Sequence, residues 1–262
     1  MNLEKSCENF LEKIINHEEF PLRKMSSMRA SETAKIVENS FRAVNIAFMD
    51  EWGRFAEGIG VDMFEIIKAV RDRPSHKNLR KPGLGVGGYC LTKDPYFAEI
   101  SKNLYYNELD LDFPIIKKAV DINNKMPFRN WKRIENFFGK LNTKKILLLG
   151  VAYKADVDDT RYSPSNILYQ KLKLAGAKII VHDPYVKTWS EIGVKVENKL
   201  PSTKDIDGII IAVSHTFYKN SYFFEWLNSD ILKIYDCVNT FNQSKISKLI
   251  KKGSKILITG KG

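Results

Sequence analysis

The stretch KPGLGVGGYCLTKDP, residues 81–95, sets Cys90 two residues after Gly88 and three and four residues ahead of Lys93 and Asp94. A thiolate attacks carbonyl carbon, and a nearby ammonium favours the thiolate over the thiol. Glycines on the N-terminal side let backbone approach a ligand with no Cβ in the way. The same pattern also suits a buried structural cysteine after a tight turn. Upstream, Lys35 and Asn39 are four apart with Glu32 a turn earlier, so on a helix they share one face. A lysine and an amide held side by side can donate to a developing oxyanion; they also suit a solvated helix edge. A third group, GVAYKADVDDTRYSP at 150–164, carries Tyr153, Lys154 and Arg161.

Gly83, Gly85 and Gly88 fit G-x-G-x-x-G, the spacing of a dinucleotide-binding loop. That spacing has a mechanism only where a strand enters and a helix leaves, so that pyrophosphate meets a helix N-terminus. Here the lead-in VRDRPSHKNLRK is charged and broken by proline, and the exit CLTKDP reaches Pro95 within one turn. The loop therefore belongs to the cysteine.

The elements that must position these groups fall into two regions. Ser31 to about Phe138 has helical periodicity: Ser31 is the expected N-cap and Gly58 or Gly60 the stop of a first long helix. Asp62 and Glu65 make a capping box before MFEIIKAV, and a further helix spans 114–138 with a bend expected at Pro127. From Lys144 the pattern changes to β-branched runs at 144–150, 177–183, 207–213, 231–236 and 254–260. Between the first two, Ser163-Pro164 opens a helix that Gly176 closes. Alternating strands and helices predict a doubly wound parallel sheet, with ligands at the strands' carboxyl ends, where residues 151–161 and Asp183 fall. The fold class is α/β: an all-helical central region followed by a Rossmann-like region.

At 262 residues, 44% hydrophobic and 28% charged, the chain reads as globular. No apolar run approaches the ~18 residues of a membrane span, and the start MNLEKSCENFLEKI lacks a signal peptide's core. Cys7, Cys90 and Cys237 are odd in number and widely separated, which argues for a reducing cytoplasm and against disulfides or a zinc cluster. The net charge of +11 comes from lysines spread evenly along the chain, with no basic–aromatic nucleic-acid motif. His17, His76, His182 and His215 have no metal-ligand spacing, and His215 reads as a structural histidine.

Together, SETAKIVENSFRAVNIAFMDE, PGLGVGGYCLTKDP, and GVAYKADVDDTRYSP followed by VHDP resemble, in order, three motifs of the UDP-glucose/GDP-mannose dehydrogenase family. The resemblance covers about residues 28 to 262. It implies oxidation of the C6 hydroxyl of a UDP-sugar to a carboxylate with NAD, and a homodimer through the helical domain. By the same resemblance Cys90 is the nucleophile that traps the aldehyde, and Lys35 and Asn39 stabilise the oxyanions. Asp94 supports the lysine and the attacking water. Lys81, Gly85, Tyr153 and Lys154 contact substrate, Lys93 and Arg161 contact NAD, and Arg73 is the nearest match for an arginine that reaches a neighbouring subunit's site. The implied boundaries are a residual segment 1–27, a helical dimerisation domain with the cysteine loop at 28–140, and a UDP-sugar-binding domain at 141–262.

Two departures stand out. The family's D-x-R-N is here DCVN, with Val238 in the arginine's place, which with AVSHTFY points toward the UDP-N-acetylhexosamine branch. The family also begins with an NAD-binding domain, a unit of roughly 150 residues, whereas about 30 residues precede the helical region here. The expectation is a dehydrogenase whose main NAD domain lies outside this chain, on a separate chain or lost by truncation, and which is inactive alone. The alternative is a non-catalytic protein that binds a UDP-sugar and dimerises. Neither reading needs nucleic acid or a membrane.

Overall fold

The computed structural model describes residues 3–262, with Glu4 described by its backbone alone. Among these residues no helix is long and apolar enough to cross a membrane. Helix α1 (Leu3–Ile14) carries exposed Leu3, Phe10 and Ile14 along one side. The long α2 (Met28–Ile59) starts earlier than its sequence suggests, because MRASETAK contains no breaker. Ser27, in extended backbone, accepts the Ala30 N–H at 3.1 Å and is the N-cap, so the expected cap Ser31 lies inside the helix. Gly60 ends α2 at φ +77°, a left-handed conformation that glycine adopts without a Cβ clash. Asp62 caps α3 (Met63–Arg71) through the Phe64 N–H, while Glu65 returns no bond to the Asp62 N–H, so only the aspartate half of the expected capping box forms.

After the cysteine loop come α4 (Cys90–Lys93), α5 (Phe97–Tyr105) and α6 (Pro114–Phe138). Helix α6 runs unbroken through Pro127. It lies alongside α2 in the same direction. The Asn123 amide donates to the Ala43 carbonyl at 3.2 Å, Arg129 pairs with Asp50, and Arg133 pairs with Glu57. Burial raises the pKa of both carboxylates, and an arginine from the facing helix opposes that shift in each case.

Strands β1 (Lys145–Leu149), β2 (Lys178–His182), β5 (Gly208–Ile211), β6 (Lys233–Asp236) and β7 (Lys255–Ile258) form one parallel sheet in the order β2-β1-β5-β6-β7. Each lies within its sequence-predicted run. A small antiparallel pair, β3 (Thr188–Trp189) and β4 (Val194–Lys195), was not legible in the sequence; two-residue strands leave no period to read. Along β1, Ile146 and Leu148 face a core shared with α6 and α7 (Ser165–Leu174). Leu147 and Leu149 face a second core under α8 (Ser221–Leu227) and α9 (Gln243–Lys251). The sheet is thus covered on both faces. Because Ile134 and Phe138 of α6 belong to the first core, this helix ties the helical region to the sheet and fixes the cysteine loop against it.

Candidate active site

The sheet order reverses at β1: the chain moves outward to β2, then returns to the other side of β1 as β5. Open α/β sheets bind ligands in the crevice outside the strand ends at such a point. A cavity of about 190 Å³ lies there, lined by Tyr153, Lys154 and Ala155 after β1, Val213 and Ser214 after β5, Val238 after β6, and Gly85. The structure therefore brings Gly85, Tyr153 and Lys154, three of the expected substrate contacts, to one cavity. It also sets Val238 as an apolar wall among them.

Cys90 is exposed at the start of α4. The loop before it is strung between the two regions: the Asn130 amide donates to the Gly83 carbonyl at 3.0 Å, and the Gly88 N–H donates to the Arg161 carbonyl at 3.0 Å. A Cβ on Gly87 would lie 2.6 Å from the Tyr162 carbonyl oxygen, and one on Gly88 would lie 2.9 Å from the Tyr153 ring. These glycines admit the protein's own β1–α7 loop, where the sequence suggested room for a ligand. Tyr89 and Tyr162 meet edge to face across the same joint, with ring centroids 5.1 Å apart. Beyond it a cleft of about 640 Å³ opens between Lys93, Asn123, Phe128 and Tyr162.

Asn39 is fully buried and donates to Asp94 Oδ2 at 2.9 Å, bridging α2 to the residue one turn beyond Cys90. The other Asp94 oxygen accepts from Lys93 Nζ at 2.8 Å. Asn39 Oδ1 is buried without a partner. Lys35 does not take the expected place beside Asp94. It pairs with Glu38 Oε2 at 2.7 Å on the solvent side of α2, because a carboxylate one turn along its own helix is nearer. The hydrogen bond from Lys35 is the largest cause of the lowered Glu38 pKa.

Lys93 and Arg161, expected to reach NAD, are both engaged within the chain. The hydrogen bond to Asp94 raises the Lys93 pKa. Arg161 grips both Asp159 oxygens, at 2.9 and 2.6 Å, and lies 4.7 Å over the Tyr89 ring. Lys81 is exposed at the start of the glycine loop; Arg73 is exposed before the turn at Pro74–His76 and makes no hydrogen bond or ion pair to that loop. Tested against NAD, loop 83–88 has no strand entering it, opens a helix of four residues, and packs its glycines against tyrosines. It does not fit as a pyrophosphate cradle. Lys93 and Arg161, the groups expected to touch NAD, are held by Asp94 and Asp159.

Asp183, at the carboxyl end of β2, is buried and saturated. It accepts N–H groups from Val151, Ala152, Tyr185 and Val186, and Nε2 of buried His215 lies 3.0 Å away. Burial raises its pKa, but the bonds from His215 and the backbone outweigh this and the net shift is downward. Sequence reading placed both residues but missed their pairing, since 32 positions separate them. Cys237 is buried, which pushes its thiol pKa far up; Cys7 is exposed like Cys90, so accessibility alone does not single out Cys90.

Comparison with known proteins completes this picture. Residues 29–125 match the UDP-glucose/GDP-mannose dehydrogenase family, central domain, and residues 147–243 match the UDP binding domain of the same family. A UDP-N-acetyl-D-mannosamine dehydrogenase of Methanocaldococcus jannaschii is 33% identical over 198 residues, 75% of this chain and 43% of that protein. The crystal structure of an NDP-N-acetyl-D-galactosaminuronic acid dehydrogenase from Methanosarcina mazei superposes with a TM-score of 0.77 at 27% identity, over 90% of this chain and 51% of that one. A UDP-D-ManNAc dehydrogenase from Pyrococcus horikoshii gives a TM-score of 0.69 at 29% identity, over 89% and 52%. The chain spans about half the length of the curated relatives it matches. With a family match in each region, in the family's order, over the fold those relatives share, this chain belongs to the UDP-glucose/GDP-mannose dehydrogenase family.

Proposed function

We propose that this chain carries the nucleophile and the UDP-sugar site of an NAD-dependent UDP-N-acetylhexosamine 6-dehydrogenase. The observation that supports it best is the exposed Cys90 with Asp94 one turn on, held by buried Asn39 and joined through the glycine loop to the cavity at the sheet's switch point. The names of the relatives and the apolar Val238 wall favour an acetamido sugar. Residues 28–140 and 141–262 form the two working domains. The glycine loop that joins them is not the NAD site, because its Gly87 and Gly88 pack against tyrosines of the chain.

The chemistry follows from the residues. The C6 hydroxyl loses a hydride and a proton to become an aldehyde. The Cys90 thiolate adds to its carbon, leaving charge on oxygen that the Asn39 amide and the Lys35 ammonium stabilise once Lys35 leaves Glu38. The thiohemiacetal loses a second hydride and a proton to give a thioester. Water, oriented by Asp94, displaces the thiol and leaves the carboxylate. NAD supplies the hydride acceptor for both oxidations. Lys154 and Tyr153 hold the UDP-sugar at the end of β1, and Lys81 contacts it from the start of the glycine loop.

The apolar stripe on α2, Val37, Phe41, Val44, Phe48, Trp52, Phe55 and Ile59, repeats at three and four spacing, and Phe48 and Trp52 remain 49% and 47% exposed. A second copy of the chain covers it, with two-fold symmetry.

A thermal-shift series tests the site. UDP-N-acetylhexosamines at a hundredfold excess over their dissociation constant stabilise the folded chain by about 2.7 kcal/mol, NAD does not, and no NADH forms. No response to any UDP-sugar sinks the proposal.

A further inference from the structure

We propose that the buried Asp183–His215 pair is a positioning device for the β1 loop that presents Tyr153 and Lys154 to the nucleotide sugar. This rests on reading those two residues as substrate contacts. Segment 151–156 leaves the sheet between two side-chain anchors, and between them the Tyr153 N–H donates to the Asp159 carbonyl at 2.8 Å. At its near end Asp183 accepts the Val151 N–H at 2.8 Å and the Ala152 N–H at 3.3 Å. At its far end the Asp156 N–H donates to His215 Nδ1 at 2.9 Å. A backbone N–H can only donate, so Nδ1 is the acceptor and Nε2 carries the proton, which it gives to Asp183 Oδ2 at 3.0 Å. One carboxylate and one imidazole thus pin both ends of a segment whose middle lines the switch-point cavity.

The outer anchor is reinforced. Asp156 sits at φ +61°, unusual for a residue with a Cβ, and its carboxylate accepts the Thr216 N–H at 2.8 Å, the Thr216 hydroxyl at 2.7 Å and the Tyr185 hydroxyl at 3.1 Å. A non-glycine residue keeps such a conformation only when its surroundings over-determine it. Neither Asp183 nor His215 lines the cavity; both act through the loop. Lys154 itself is exposed, so what the pair positions is the backbone that carries it.

The test is UDP binding by calorimetry to the full chain, together with amide hydrogen exchange of residues 153–156. His215→Phe removes the acceptor, weakens UDP binding about tenfold and speeds exchange of that segment more than of the sheet. His215→Asn, whose amide oxygen replaces Nδ1, keeps affinity within about threefold and keeps exchange slow; His215→Gln, which serves only the Asp183 side, behaves like the phenylalanine variant. The Asn and Gln pair decides the matter should His215→Phe fail to fold. Lys154→Met weakens binding in the native background and adds little on top of His215→Phe. Losses that multiply in the double variant, or unchanged affinity and exchange in both His215→Phe and His215→Gln, overturn the inference. Should Lys154→Met alone leave UDP affinity unchanged, the substrate-contact reading fails. The exchange of 153–156 then still tells whether the pair holds the loop, and unchanged exchange overturns that as well.

Discussion

The two regions solve burial differently. In the sheet region Trp189, Tyr218, Tyr235 and Phe223 are fully buried, and both faces of the sheet are covered by helices of the same chain. In the helical region Phe41, Phe48, Trp52, Phe55 and Ile59 remain exposed along α2. Polar groups differ in the same way. Asp183 and Asp236 sit at strand ends and are satisfied largely by backbone N–H groups nearby, whereas Asp50 on α2 is met by Arg129 of α6 and Arg54 of its own helix, and Glu57 by Arg133 of α6 together with the Gly260 N–H. A sheet with crossover helices finishes its own core. A long helix with one facing neighbour leaves a second face to be covered.

The contrast is broken most sharply inside the sheet. Leu148→Ala, on interior strand β1 with no exposed surface, lowers stability by about 2–5 kcal/mol, read by urea denaturation. A loss under 1 kcal/mol would mean that this core is not close-packed.

A second measurement uses pH. Burial lowers the pKa of His182, the last residue of β2, from 6.5 to about 4. Between those values the unfolded chain binds a proton that the folded chain does not, so stability is full above pH 6.5 and is lost as pH falls toward 4. The loss approaches about 3 kcal/mol. His182→Phe should flatten that slope; an unchanged slope would show that the imidazole is not held neutral. Loss through Asp183, whose pKa is lowered, belongs to a separate window below pH 4.

On the helical side, Phe48→Glu with Phe55→Glu should leave the urea midpoint of the sheet core in place and raise the dimer dissociation constant at least a hundredfold, about 2.7 kcal/mol. Sedimentation reads this directly, and a native chain that stays monomeric at micromolar concentration removes the second-copy reading of the stripe. The smallest effect tests where α2 begins. Ser27→Ala should cost about 1 kcal/mol as a lost N-cap, while Ser31→Ala should be neutral or slightly stabilising inside the helix. Equal effects would put the helix start back in doubt.

Much of the fold is legible in the sequence. The Pro114–Phe138 helix, the five parallel strands and a stop at Gly58 or Gly60, of which the structure uses Gly60, follow from periodicity and turn chemistry contained within a few residues. Ser31 was misread because a good cap residue followed by helix formers looks alike whether or not the helix has already begun four residues earlier. At the site, the residue types and their order were visible, but their partners were not.

The sequence by itself determined the element order, the covered parallel sheet, and a glycine-rich loop delivering a cysteine between a helical region and that sheet. These depend on local spacing. Tertiary structure decided that Asp94 is held by Asn39, 55 positions away, and by Lys93, while Lys35 turns to Glu38. It decided too that Gly87 and Gly88 make room for Tyr153, and that Asp183 and His215 pin the Lys154 loop. A hydrogen bond chooses its partner within a few tenths of an ångström, and that distance is set by how segments far apart in the chain pack, which no local pattern of residues records.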